Sequence, residues 1–243
     1  MDGPRCPRCG AWAAVGSSDN PAKAAAEAVA VPITSVQKAD SDRVHFPITQ
    51  IWARGVPKGA VILLGGAPGA GKSTLALQLA AEIAKKGTVL YATAEERLEQ
   101  VRERAERLRA LVPRLYVVAE YQLARILRAA EALRPAVLVI DSVQMVTLRA
   151  SDALGAPSTI REVAAELVRW AQRTGTVVLA VSQALKRGGF AGPRLIEHVV
   201  DCALYLDRVG GDGNRVLRVV KNRYGPAGDV PLRMTEGGLT LPA

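Results

Sequence analysis

Cysteine is scarce, with three in 243 residues. Cys6 and Cys9 form one C-x-x-C pair and Cys202 lies far away in an apolar stretch, a usage that suits a reducing compartment rather than a disulfide-stapled scaffold. Aromatics make up only 4% of the chain, so Val, Leu, Ile and Ala must build the core. No apolar run approaches the roughly 18 residues that a membrane helix needs. The start, Met1-Asp2-Gly3-Pro4-Arg5-Cys6, lacks the apolar centre of a signal peptide. These absences lead us to expect a cytoplasmic protein without a membrane partner. Acidic groups are also in deficit, 23 Asp and Glu against 32 Lys and Arg, for a net charge of +9. That excess suits a polyanion such as nucleic acid, and equally a solvated basic surface.

What is present is an ordinary globular balance, 49% hydrophobic and 23% charged, enough for one substantial core. Residues 1–12 hold the C-x-x-C pair and Trp12. Residues 13–41, rich in Ala, Ser, Asp and Pro, read as a flexible linker or weak helix. From residue 42 to 243 apolar runs alternate with amphipathic stretches. Expected strands are 60–64, 88–93, 115–119, 136–140 and 176–181, and expected helices run from the glycine loop to about 86, then 95–111, 121–133 and 159–173. Aliphatic strands alternating with helices predict an α/β fold with a mostly parallel central sheet covered on both faces. Beyond about 197 three more strands, 200–206, 215–221 and 230–234, predict an antiparallel C-terminal extension.

The sharpest local signal is Gly66-Ala67-Pro68-Gly69-Ala70-Gly71-Lys72-Ser73, between an apolar strand and an amphipathic helix. In that context the glycines let backbone N–H groups turn toward phosphates, and the helix N-terminus adds its positive dipole end. Lys72 can reach the β- and γ-phosphates of ATP, and the Ser73 hydroxyl can ligate Mg²⁺; Thr74 completes the nucleotide-binding set. Hydrolysis needs acidic groups beside these. Asp141 ends an apolar run and so emerges at the carboxyl edge of a buried strand, where ligands bind in open α/β sheets. It is the candidate for the Mg²⁺ shell. Glu95 and Glu96 follow the strand 89–93 at the same edge; one can orient and deprotonate the attacking water, the other can cap the next helix. Gln183 ends a further strand and is placed to sense the γ-phosphate.

These motifs, in this order, resemble the RecA-like ATPases, and more closely the bacterial RadA (Sms) family. Leu64 to Leu75 looks like that family's phosphate loop, and Tyr91-Ala92-Thr93-Ala94-Glu95-Glu96 is similar to its strand with the catalytic glutamate, favouring Glu95. Val139-Ile140-Asp141-Ser142-Val143-Gln144 resembles its metal-binding strand, and residues 191–201 resemble a segment associated with the family. Lys221-Asn222-Arg223-Tyr224-Gly225 differs from the family's Lys-Asn-Arg-Phe-Gly signature only by Tyr for Phe. The resemblance spans residues 42–243. It implies a DNA-dependent ATPase of recombination and repair, a ring of subunits, with six the expected number, encircling single-stranded or branched DNA, driving branch migration and working beside a recombinase. In such rings ATP lies between subunits, which makes Lys221 and Arg223 candidate catalytic cations acting on a neighbour's ATP. Alternating along one strand, both should point the same way, with Asn222 opposite. Their plain alternative is an exposed strand edge guarded by basic residues.

Loops 145–158 and 184–194 follow strands at the ligand edge. Lys186, Arg187 and Arg194 in the second suit contacts to DNA phosphates, as they suit an ordinary flexible loop. Arg97, Arg102, Arg104, Arg107 and Arg109, interleaved with glutamates, read as a solvated helix face. The family carries a four-cysteine zinc module at its start. Here Cys6-Pro7-Arg8-Cys9-Gly10-Ala11-Trp12 resembles its second half alone, two thiolates where structural zinc wants four ligands, so a lost start or a vestigial knuckle is expected, ahead of a zinc shared between two chains. The family's C-terminal domain, similar to that of Lon protease, has no counterpart, so a short or truncated relative is expected. Two other functions fit the same fold. One is a replicative-helicase or loader ATPase, against which the 221–225 signature argues. The other is a nucleotide-gated scaffold that binds ATP with little turnover.

Overall fold

Val61–Gly66 (β3) is buried along its whole length, as a run of Val, Ile and Leu must be when both faces of its sheet are covered. In the computed structural model, which describes residues 32–35, 43–183, 196–211 and 213–241, it lies inside a nine-stranded sheet. The order is β11-β10-β9-β8-β3-β7-β6-β4-β5. Here β4 is Val89–Thr93, β5 Leu115–Ala119, β6 Val137–Asp141 and β7 Val177–Val181. The remaining strands are β8 (Cys202–Arg208), β9 (Asn214–Asn222), β10 (Gly228–Thr235) and β11 (Gly238–Thr240). A two-stranded pair, β1 (Arg43–Val44) with β2 (Val56–Pro57), stands apart from this sheet.

All pairings from β8 to β5 are parallel. The antiparallel extension starts one strand later than the sequence indicates, because β8 lies parallel to β3 and the chain first reverses between β8 and β9. Strand parity divides the core in two. One layer sets Ile62, Tyr91, Val139 and Leu179 against α1 (Lys72–Ala84) and α2 (Leu98–Arg107). The other sets Leu63, Ala92, Ile140 and Ala180 against α3 (Leu123–Leu133) and α4 (Pro157–Thr174). α4 opens with proline at its first position, where the missing N–H is harmless, and closes on Gly175 at φ 74°, whose N–H reaches the Ala171 carbonyl at 2.8 Å.

α2 spans less than the expected 95–111, because Thr93 to Arg97 form the turn that carries the acidic pair. By internal contacts the chain divides into Met1–Ala39 and Asp40–Ala243. Within the first unit, Ile33–Ser35 form a short 3-10 turn. Among the described residues, no helix is long and apolar enough to cross a membrane.

Candidate active site

The parallel strands deliver their carboxyl ends to one edge, and there β3 passes through the glycine loop into α1. Gly66, Gly69 and Gly71 take φ of 144°, 69° and 109°, a backbone region that L side chains rarely adopt. At Gly66 a Cβ would also run into the Leu206 carbonyl of neighbouring β8. Gly66→Ala is therefore expected to cost about 1–3 kcal/mol of stability, read as a lower denaturation midpoint; an unchanged midpoint counts against the close approach.

Lys72, at the first turn of α1, is 6% exposed and donates to the Ala67 carbonyl at 2.9 Å across the loop. Burial lowers its pKa, and the nearby Asp141 and Glu95 charges oppose that fall. Asp141, at the end of β6, is 7% exposed. Burial raises its pKa, against hydrogen bonds from Tyr91 and Ser73. The Tyr91 hydroxyl donates to its Oδ2 at 2.5 Å. In the sheet register Tyr91 faces Val139 and Thr93 faces Asp141, so Tyr91 and Asp141 are diagonal neighbours on one face.

The acidic pair separates by partner. Glu95 is exposed; Ser142 Oγ donates to its Oε1, and Gln183 Nε2 lies 3.4 Å from both its oxygens. Glu96 turns back toward α2, where Arg104 ion-pairs with it. Gln183 is itself steadied through its carbonyl, which accepts from Gln144 Nε2 at 3.1 Å. Gly69, Gly71, Lys72, Ser73, Thr74, Asp141 and Gln183 share a cleft of about 410 Å³ with Pro68, Arg104, Arg107, Val181 and Met234. Ala67 and Ala70 shape the loop through their carbonyls.

A magnesium ion fits this donor set. The Ser73 hydroxyl and the Asp141 carboxylate, two hard oxygen donors, line the same cleft, and a buried carboxylate whose pKa burial has raised gains from a cation.

Lys221 and Arg223 do not reach this cleft in their own chain. β9 runs antiparallel to β8, with Arg215 opposite Arg208 and Asn222 opposite Cys202, so the signature sits at the opposite edge of the sheet. β9 ends at Asn222, which leaves Arg223 in the following turn rather than on an alternating strand face; the alternation argument therefore fails for it. Both cations nevertheless converge on residues 197–201. Lys221 Nζ donates to the carbonyls of Glu197 (2.9 Å), His198 (3.2 Å) and Val200 (2.7 Å), and Arg223 Nη1 pairs with Asp201 Oδ1 at 3.0 Å. Asn222 does point elsewhere, its Oδ1 accepting from Trp52 Nε1 at 3.0 Å and from the Tyr224 N–H at 3.1 Å.

Three arginines escape a reading by composition. Arg208 Nη2 donates to the Gly69 carbonyl at 2.6 Å and Arg215 Nε to that of Ala70 at 2.9 Å, so the start of the antiparallel extension grips the phosphate loop from outside. Arg104 is inside, its side chain 18% exposed, which corrects the wholly solvated face expected for α2. Cys6, Cys9, Lys186, Arg187 and Arg194 lie outside the described residues. Among the described residues, no group of three or more His, Cys, Asp or Glu is arranged to hold a metal.

Known proteins share the fold of this chain and resemble its sequence. A KaiC-like protein from the hyperthermophilic archaeon Pyrococcus horikoshii OT3 shares the fold, with a TM-score of 0.68, 21% identity, and coverage of 83% of this chain and 98% of that one. DNA repair protein RadA of Streptococcus pyogenes serotype M3 is 37% identical over 97% of this chain, and that of Bacillus subtilis strain 168 is 36% identical over 97%. RadA of Streptococcus pneumoniae R6 is 36% identical over 85%. The chain spans about half the length of these relatives, 55%, 55% and 50% respectively. A family model described as an AAA domain matches residues 27–189, and with a match of that extent the chain belongs to the AAA domain family, built on a RecA-like core and similar in sequence to RadA.

Proposed function

We propose that this chain is a Mg²⁺-dependent ATPase that acts on DNA in recombination and repair, hydrolysing ATP between the subunits of a ring, six being the expected number, to drive branch migration. The observation that carries the ATPase reading is the meeting of Lys72, Ser73, Asp141, Glu95 and Gln183 at one sheet edge. In this reading Lys72 and the loop N–H groups hold the phosphates. Ser73 and Asp141 hold the Mg²⁺, which when bound neutralises developing phosphate charge. Glu95, exposed and oriented by Ser142, takes the proton of the attacking water, and Gln183 links that carboxylate to the γ-phosphate.

The DNA reading is supported by the similarity to RadA and by the positive charge excess. Lys186, Arg187 and Arg194 are proposed as phosphate contacts. Action in the cytoplasm, beside a recombinase, belongs to the same proposal.

Lys221 and Arg223 are proposed to complete a neighbour's site. Their distance from their own cleft supports a role between chains, and Arg223, with its side chain 60% exposed, is the freer of the two. For Lys221 the role requires release from the three carbonyls it now serves.

Steady-state hydrolysis with and without single-stranded DNA tests the whole reading. Turnover stimulated by DNA is expected; ATP binding without hydrolysis under any condition favours a nucleotide-gated scaffold instead. Arg223→Ala is expected to bind ATP normally and lose about 100-fold or more in turnover, the scale for removal of one transition-state donor. Mixing it with Lys72→Ala subunits should restore some activity, because each supplies what the other lacks. Rings that form from the mixture yet hydrolyse nothing remove the trans role.

A further inference from the structure

The residues flanking Glu95 are pinned while Glu95 itself is exposed. On one side the Ala94 N–H donates to the Asp141 carbonyl at 2.8 Å. On the other, the Glu96 N–H donates to Thr93 Oγ1 at 3.0 Å, and its carboxylate accepts from Arg104 Nη2. The Arg104 guanidinium also lines the cleft that Asp141 lines. A partly buried cation thus pairs with Glu96 while lining the same cleft as Asp141.

This arrangement is costly as a helix anchor. Glu96 Oε2 and Arg104 Nη1 are buried, and neither has a hydrogen-bond partner. Each such group carries a desolvation penalty. A well-packed apolar pair in the same place would hold the turn to α2 more cheaply. Val101, Ala105 and Leu108, buried on the same helix face, already supply that packing. The ion pair adds direction. It fixes the Glu96 side chain toward α2, which leaves the intervening Glu95 to face Ser142 and Gln183.

We propose that Arg104, acting through Glu96, is a positioning residue for ATP hydrolysis: the pair sets the orientation of Glu95 and places positive charge at the wall of the cleft that Asp141 shares. The inference rests on the ATPase reading above and deepens it.

Its test compares Arg104→Met, Glu96→Gln, their double variant and Lys72→Ala in the full chain. Folding is followed by circular dichroism, ATP binding by a fluorescent ATP analogue, and turnover as separate kcat and KM. Glu96→Gln, outside the cleft lining, is expected to bind the analogue within about threefold of the native chain, and both single variants are expected to lose about 10- to 100-fold in kcat, the range for partners that orient a functional group from behind. Because the two act as one device, the double variant should fall no further than the worse single. Glu96→Gln keeps the volume of Glu96 and carries the test should Arg104→Met fail to fold. Native kcat in a folded variant, a rise confined to KM, or fully additive losses overturns the proposal. Lys72→Ala separates the two levels: if it retains hydrolysis, the site reading itself fails, whereas its loss beside native kcat in Glu96→Gln removes only the positioning role.

Discussion

Lys72→Ala is expected to reduce ATP hydrolysis by at least about 100-fold, to the background of the assay, while the protein remains folded. The side chain is 6% exposed and lies between the loop carbonyl of Ala67 and the charges of Asp141 and Glu95. Alanine removes the one ammonium that the cleft holds against both acidic groups. Repulsion among phosphate oxygens, Asp141 and Glu95 then loses that counter-charge, in a site where burial makes charge interactions stronger than in water. The fold should survive, since the first turn of α1 keeps its backbone bonds, including Leu75 N–H to the Gly71 carbonyl at 2.9 Å. A colorimetric phosphate-release assay reads the outcome directly. Turnover within tenfold of the native chain would place hydrolysis elsewhere in the molecule.

Trp52→Ala is expected to be the largest stability loss, about 3–5 kcal/mol, the range for truncating a buried aromatic. Trp52 is 2% exposed, packs against Phe46 with ring centroids 5.2 Å apart, and donates through Nε1 to Asn222. It joins the segment before β3 to the far end of β9, 170 positions away in sequence. The backbone is equally close there, because a Cβ on Gly225 would strike the Ile51 carbonyl. Trp52→Phe separates the two contributions. It keeps most of the apolar contact, loses the hydrogen bond, and should cost about 1–2 kcal/mol. Urea denaturation followed by far-ultraviolet circular dichroism measures both, and a loss under 1 kcal/mol for Trp52→Ala contradicts the packing described.

The phosphate loop was legible because its chemistry is local: eight consecutive residues carry both the cradle and the helix start. Asp141 was legible because it ends an apolar run, and a strand end in a parallel sheet is a ligand edge whatever the strand order. Choosing between Glu95 and Glu96 on chain order alone was not open, since their partners Ser142, Gln183 and Arg104 come from three other segments. Family resemblance favoured Glu95, and the geometry gives it the exposed position facing the cleft's edge.

Arg104 was missed for a different reason. Alternating Arg and Glu masks helix phase, yet Arg104 lies three residues after buried Val101 and four before buried Leu108, a spacing that places it toward the core. That signal was in the sequence and was outweighed by charge. Arg208 and Arg215 carried no such signal. Their contact with the loop depends on β8 pairing parallel to β3, and pairing between distant strands is not written in either strand alone.

β9 has a consequence that follows from its two ends. At one end Arg215 holds the carbonyl of Ala70 in the phosphate loop; at the other Lys221 and Asn222 are fastened to residues 197–200 and to Trp52. The Cα atoms of Arg215 and Lys221 are about 20 Å apart along an extended strand, at roughly 3.4 Å per residue. Over residues 215–219 the strand is hydrogen-bonded on both sides, which resists stretching; beyond a register shift it continues to Asn222 paired with β8 alone. One continuous strand therefore ties the outside of the phosphate loop to the far edge of the sheet.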